Sequence, residues 1–173
     1  MVLIESRETN RTCHACSADL GIAIYSKYEG KWKKKFVQKN VINFGQWGKL
    51  PKASVTKIGQ NNYGLIFHNS SMSQGYYSEG YTLITNVEGK YKNVIDIAIH
   101  SNNKGYAEGT GNESYEWSAQ VDFIEGGNKE FFDIIVLSIG TTEEWEKRKS
   151  NIIPINEISI YKFNGSEYEL QKN

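Results

Sequence analysis

An excess of charge of either sign is the first thing this sequence lacks. Twenty lysines and arginines balance twenty aspartates and glutamates. A chain without net positive charge is not built as a general nucleic-acid binder, which must neutralise phosphates. Long apolar runs are also missing. Ile134-Ile135-Val136-Leu137 is bracketed by Asp133 and Ser138, far short of the roughly 20 apolar residues of a membrane-spanning helix. Residues 1 to 11 carry no apolar signal-peptide core, so either the chain is cytosolic or it starts near a processing point.

Catalytic fingerprints are scarce too. There is no G-x-S-x-G elbow and no Ser/His pair at a recognisable spacing. The glycines of Gly105-Tyr106-Ala107-Glu108-Gly109-Thr110-Gly111 lack the strand-to-helix context in which such a loop cradles phosphate. Glu108, Glu113, Glu116 and Asp122 miss the spacing of a calcium loop and read as loop solvation. His100, close to Asp96 on one strand, reads as a hydrogen-bonded surface histidine. The sequence therefore assigns no catalytic residue, no metal and no cofactor.

Cysteine is reduced to two residues, both in Cys13-His14-Ala15-Cys16. A thioredoxin-like redox pair needs its first thiol at a helix N-terminus after a strand, whereas here a polar leader precedes and a strand follows. Haem attachment fails because residue 17 is Ser17 rather than histidine. A closed zinc site would have to draw His68 or His100 from distant strands. The reading that asks least is a structural disulfide closing a small ring, and an even count with no lone thiol favours an oxidising compartment.

What the chain does have is a repeated hairpin phrase. Tyr28-Glu29-Gly30-Lys31-Trp32, Val87-Glu88-Gly89-Lys90-Tyr91 and Phe163-Asn164-Gly165-Ser166 each set a Gly-containing turn between β-branched and aromatic runs. Five hairpins predict an all-β antiparallel domain, a sandwich or barrel-like arrangement over residues 13–173, with residues 1–12 as a flexible leader. Tyr76 to Val87 is expected to pair with Tyr91 to His100, with Ile95, Ile97 and Ile99 on the core side. Asn69 to Gly75 reads as a Ser/Gly connection and Ser101 to Ser114 as a long loop. The one helix is expected at Thr141 to Lys149, where Thr141 and Glu144 have capping-box spacing and Lys147, Arg148 and Lys149 suit the other end. The basic run Lys31, Lys33, Lys34 and Lys35 around Trp32 is either a patch for a polyanion or membrane surface, or an edge strand kept from pairing by its lysines. We read it as the latter.

Trp47, Tyr63, Tyr76, Tyr77, Tyr81 and Tyr106 fall in or near polar Gly-containing loops. Exposed Tyr and Trp give large contact area at low entropy cost, so these six are the candidate binding residues, for a protein or a glycan. Thr12-Cys13-His14-Ala15-Cys16-Ser17-Ala18-Asp19-Leu20-Gly21, with Trp47-Gly48, Tyr63-Gly64-Leu65 and Gln74-Gly75-Tyr76 downstream, resembles poorly characterised bacterial envelope or secreted β proteins. That resemblance implies a periplasmic or secreted location and a bond between Cys13 and Cys16, and it implies no activity. The expected function is a non-enzymatic binding module of the envelope or secreted fraction, an inhibitor or accessory of an extracellular enzyme being one form. The other reading is a hydrolase of an envelope polymer.

Overall fold

The computed structural model describes residues 1–6, 13–126, 130–146 and 149–171. The chain is all-β apart from one short helix. A three-stranded antiparallel sheet contains β1 (Val2–Ser6), β2 (Ala18–Tyr28) and β3 (Lys31–Phe44) in the order β1-β2-β3. An eight-stranded sheet runs in sequence order through β4 (Ala53–Lys57), β5 (Tyr63–Ser73), β6 (Tyr76–Val87), β7 (Lys90–Asn102), β8 (Glu116–Ile124), β9 (Asp133–Glu146), β10 (Lys149–Phe163) and β11 (Tyr168–Leu170). Helix α1 (Lys104–Thr110) joins β7 to β8.

Turn chemistry explains this order. Glu29-Gly30 and Glu88-Gly89 both have positive φ at both residues, the backbone that matches strand twist in a two-residue hairpin. Asn86 Oδ1 accepts the Gly89 N–H at 3.0 Å, and Asn164 Oδ1 accepts from Ser166 and Glu167 at 2.8 and 2.9 Å. All three hairpins of the repeated phrase form.

The eight-stranded sheet curls without closing into a barrel. β7 and β8 share only the pairs His100↔Ser118, Ser101↔Trp117 and Asn102↔Glu116. Beyond that hinge the second half lies over the first. Phe132 N–H donates to Ile58 O at 2.7 Å, and Lys92 Nζ donates to Ser166 Oγ at 2.6 Å. In a flat sheet with strands about 4.8 Å apart, neither pair of elements would meet. Between the halves lies one core, with Ile58, Leu83, Val94, Ile97, Phe131, Ile134 and Val136 buried in it. A second core, with Leu20, Ile22, Leu65, Phe67, Ile84 and Tyr91, packs the three-stranded sheet on the opposite face of β5–β7. Strands β5–β7 are thus the middle layer, and alternation sends Leu65 and Phe67 to one side and Ile66 to the other.

Several expectations are corrected. Thr141 to Glu146 continues β9, because Thr141↔Pro154 through Glu146↔Lys149 supply cross-strand partners that a two-turn helix would forgo; Lys147 and Arg148 lie outside the described residues. Pro154 is tolerated because β11 joins β10 only at Tyr161–Phe163, so beside Pro154 the second edge of β10 is open. The helix forms instead inside the expected loop, where buried Asn103 donates to Glu113 O at 3.3 Å and accepts from Tyr115 N–H at 2.8 Å. The leader is not irregular at its start: Val2–Ser6 pairs with β2 from Val2↔Ala23 to Ser6↔Asp19, while residues 7–12 lie outside the described residues. Asn69–Ser73 extends β5, and the turn narrows to Gln74-Gly75. In β7 a bulge between Ile84/Asn93 and Leu83/Ile95 turns Val94 into the core, leaving Ile95 half-buried while Ile97 and Ile99 are buried as expected.

Candidate functional site

Where β3 ends, the chain leaves the three-stranded sheet and passes over the middle layer. Gly45 makes that passage possible: at φ +90° a Cβ there would lie 2.1 Å from Lys49 O. Gln46 and Lys49 close a tight turn by exchanging backbone bonds at 3.2 and 2.9 Å, and Gly48 N–H donates to Cys16 O at 2.7 Å. Cys13 and Cys16 stand at bonding distance with Cα atoms 5.0 Å apart, inside the usual disulfide range. Gln46 Nε2 then reaches across to Ser70 O at 3.0 Å. The disulfide ring therefore braces a loop whose far side is one wall of a groove.

That groove has a volume of about 650 Å³. Ile42, Phe44, Gly45 and Gln46 form the wall; the floor is β5–β7. Side chains on the floor alternate by strand geometry. Asn69, Ser71, Ser78, Thr82, Asp96 and Ala98 face the groove, whereas Tyr81 and Ile97 pack into the core below and contribute backbone. Gly80 and Ala98, opposite one another in register, keep the floor low. A polar row crosses three strands: Asn69 Nδ2 donates to Thr82 Oγ1 at 2.7 Å, Thr82 Oγ1 donates to Asp96 Oδ1 at 2.6 Å, and Asn93 Nδ2 donates to Asp96 Oδ2 at 2.7 Å. Ser71 and Ser78 share a hydrogen bond at 2.7 Å one step nearer the turn. The floor thus holds amide, hydroxyl and carboxylate groups in a fixed order, with the buried Thr82 hydroxyl satisfied between Asn69 and Asp96 and orienting both. Among the described lining residues Asp96 carries the one carboxylate on the groove face of the sheet, Glu79 lying on the other.

The six aromatic candidates do not form one patch. Tyr76 shares a strand face with Ser78 and Gly80, which places it one step beyond the groove lining toward the β5–β6 turn. There its ring packs on Tyr106 of α1 with centroids 5.2 Å apart, and on Tyr115 at 6.5 Å. Trp47 is exposed on the bracing loop and meets His14 edge-on at 5.4 Å. Tyr77 and Tyr81 face the other way. Tyr77 donates its hydroxyl to Glu79 and packs on His100, and Tyr81 packs on His68. Tyr63 is exposed at the β4–β5 turn, ten residues along β5 from Ser73, or about 33 Å at 3.3 Å per residue. Tyr76 and Tyr106 therefore lie beside the groove on its side of the sheet, Trp47 on its brace, Tyr81 under its floor with only backbone in the lining, and Tyr63 and Tyr77 elsewhere.

His68 Nε2 lies 3.1 Å from Glu79 Oε2, and His100 Nε2 lies 3.3 Å from Glu116 Oε1, with Lys104 Nζ at 2.7 Å from Glu116 Oε2. The Tyr77 hydroxyl, with His68 in support, holds the Glu79 carboxyl below the usual carboxylate range. A depressed carboxyl contributes stability that is present at neutral pH and lost as pH falls through its folded value. Tyr77→Phe is expected to raise the Glu79 pKa toward the ordinary range and to shrink that acid-side loss, read by carboxyl-carbon NMR titration. An unchanged titration would show that the Tyr77–Glu79 bond does not hold in solution.

Among the described residues no group of three or more His, Cys, Asp or Glu converges as a metal would require, and no helix is long and apolar enough to cross a membrane. The polar floor escaped sequence reading because Asn69, Ser71, Ser78, Thr82 and Asp96 look like the solvent face of their strands. Only the placement of Phe44 and Gln46 above them turns that face into a groove. No family of known proteins matches the chain, nor does any curated protein or solved structure.

Proposed function

We propose that the chain is a non-enzymatic binding module of the bacterial envelope or secreted fraction, and that it takes a glycan chain in the groove between Phe44–Gln46 and the β5–β7 floor. The observation that carries this reading is the Asp96–Thr82–Asn69 row with the Ser71–Ser78 pair beside it. Donors and acceptors in a fixed array suit a ligand whose hydroxyls do both, and the tilted Tyr76–Tyr106 pair beside the groove offers ring surface to the C–H face of a sugar that runs past Ser78. A protein partner would ask for a broader apolar centre. Glycoside hydrolysis uses two carboxyls flanking one bond, whereas Glu79 and Asp96 project from opposite faces of the sheet. The Cys13–Cys16 pair at bonding distance supports an oxidising compartment.

The test is a defined oligosaccharide array probed with the full chain, parent against Ser78→Trp. Ser78 is exposed, so the indole fills the groove without entering the core. Retention of the parent on at least one oligosaccharide, with loss of about tenfold or more in affinity for the variant (~1.4 kcal/mol), is expected. A parent that binds no oligosaccharide, or a variant that binds as well, overturns the reading.

A further inference from the structure

A different surface has chemistry that the groove does not use. The β2–β3 hairpin extends past the middle layer, and its tip from Lys27 to Lys35 is exposed throughout. Those nine residues hold five lysines against the single acid Glu29. Removing them from the twenty charges of each sign leaves fifteen basic and nineteen acidic residues elsewhere, so a neutral chain is strongly polarised, with its positive end on this arm. Among the described residues no carboxylate pairs with any of the five; Lys33 Nζ instead sits 4.4 Å above the Tyr28 ring.

The arm is aromatic and its base is aliphatic. Lys27 pairs with Trp32 and Tyr25 with Lys34. Alternation carries that face on through Ala23 to its register partners Val2 and Val37, and to Ile4 two residues along β1. Leu20 and Ile22 point the opposite way, into the core. Trp32 is 70% exposed, Val2 49%, Ile4 43% and Val37 41%. The outer face of the three-stranded sheet is therefore an apolar stripe, led by Trp and Tyr and flanked by Lys27, Lys34 and Lys39.

We propose that this face docks the protein on an anionic lipid bilayer, the aromatic rings at headgroup depth and the lysines on lipid phosphates. Trp and Tyr favour that interface because one end of each ring system is apolar and the other polar. Lysine stems lie along apolar surface while their ammonium groups reach the headgroups, and clustered lysines are drawn to anionic lipid. The aliphatic stretch of Val2, Ile4 and Val37 decides against nucleic acid, to which it offers neither charge nor a stacking plane. A second copy paired arm to arm would bring two lysine clusters face to face, a like-charge contact that opposes that pairing. The rest of the molecule, net negative, would be turned away from the bilayer, which leaves the groove open to solvent.

Sedimentation of the full chain with phosphatidylcholine vesicles, with and without phosphatidylglycerol, tests this. Binding is expected only to the vesicles containing phosphatidylglycerol, and it should weaken as salt rises. Two independent variants, Trp32→Ser and the triple Lys33→Gln, Lys34→Gln, Lys35→Gln, should each reduce the bound fraction by about tenfold, with far-UV spectra like the parent's showing that each folds. Brominated phosphatidylglycerol should quench more tryptophan fluorescence in the parent than in Trp32→Phe. No binding, equal binding to neutral vesicles, unimpaired binding by both variants, tighter retention on a single-stranded oligonucleotide than on vesicles, or a salt-resistant dimer that shields Trp32 would each overturn the proposal.

Discussion

Replacing Phe67 by alanine is expected to lower the unfolding free energy by about 3–5 kcal/mol, the range for emptying a buried aromatic site. Phe67 is 1% exposed and is among the largest fully buried side chains. It lies between Leu65 on its own strand and Leu20 and Ile22 of the three-stranded sheet, and its ring meets Phe44 edge-on with centroids 5.0 Å apart. That last contact gives the substitution a second consequence. Phe44 ends β3 and forms part of the groove wall, so a cavity under it should loosen the wall and weaken glycan retention even where the chain remains folded. Urea denaturation should show a lower midpoint with an unchanged slope. Val55→Ala is the control: Val55 is 69% exposed and should stay within about 0.5 kcal/mol of the parent. A Phe67→Ala midpoint equal to that control would mean that the two sheets do not pack as described.

Gly75→Ala is expected to destabilise the chain and to detach α1 from the sheet. Gly75 sits at φ +82°, and a Cβ there would fall 2.2 Å from Tyr106 N and 2.6 Å from Gly105 C. Those are backbone atoms of the helix start, which no side-chain rotation can clear. The Tyr106 N–H also donates to Gly75 O at 3.2 Å. A helix of seven residues does not hold itself in water, so once pushed off it should unfold, taking the Tyr76–Tyr106 stack with it. Left-handed backbone alone costs a non-glycine residue about 1–3 kcal/mol. Gly89→Ala measures that part separately, because Gly89 has φ +83° and open space around its would-be Cβ. Gly75→Ala should exceed Gly89→Ala in cost and should lose near-UV tyrosine signal that Gly89→Ala keeps. Equal costs and equal spectra would show that α1 does not rest on the turn.

Local signals made much of this fold legible. Glu29-Gly30, Glu88-Gly89 and Asn164-Gly165 announce their hairpins because the turn backbone demands glycine, and that demand is met within two residues. Layering was less legible, since it depends on which face of β5–β7 meets which sheet; the bulge at Val94 shifts that assignment by one residue inside a run of alternating isoleucines. The helix was misplaced for a related reason. Thr141 and Glu144 fit a cap, but long strand pairing with β10 outweighs a marginal helix, whereas Asn103 starts α1 through bonds to Glu113 and Tyr115 that no local pattern encodes. For the proposed site, loop position draws together Tyr76, Tyr106 and Trp47, which lie beside the groove or on its bracing loop. It also gathered Tyr63, Tyr77 and Tyr81, which the alternation of β6 and the length of β5 send elsewhere.

The most direct measurement is an amide-resolved NMR titration of the full chain with whichever oligosaccharide the array retains. A ligand in the groove predicts shifts concentrated at Gln46, Asn69, Ser78, Gly80, Thr82 and Ala98, with Tyr76 and Tyr106 following and Tyr63 unmoved. Shifts absent from Gln46, Asn69, Gly80, Thr82 and Ala98 and gathered instead around Tyr63, or around Tyr77 and His100 on the opposite face, would contradict it.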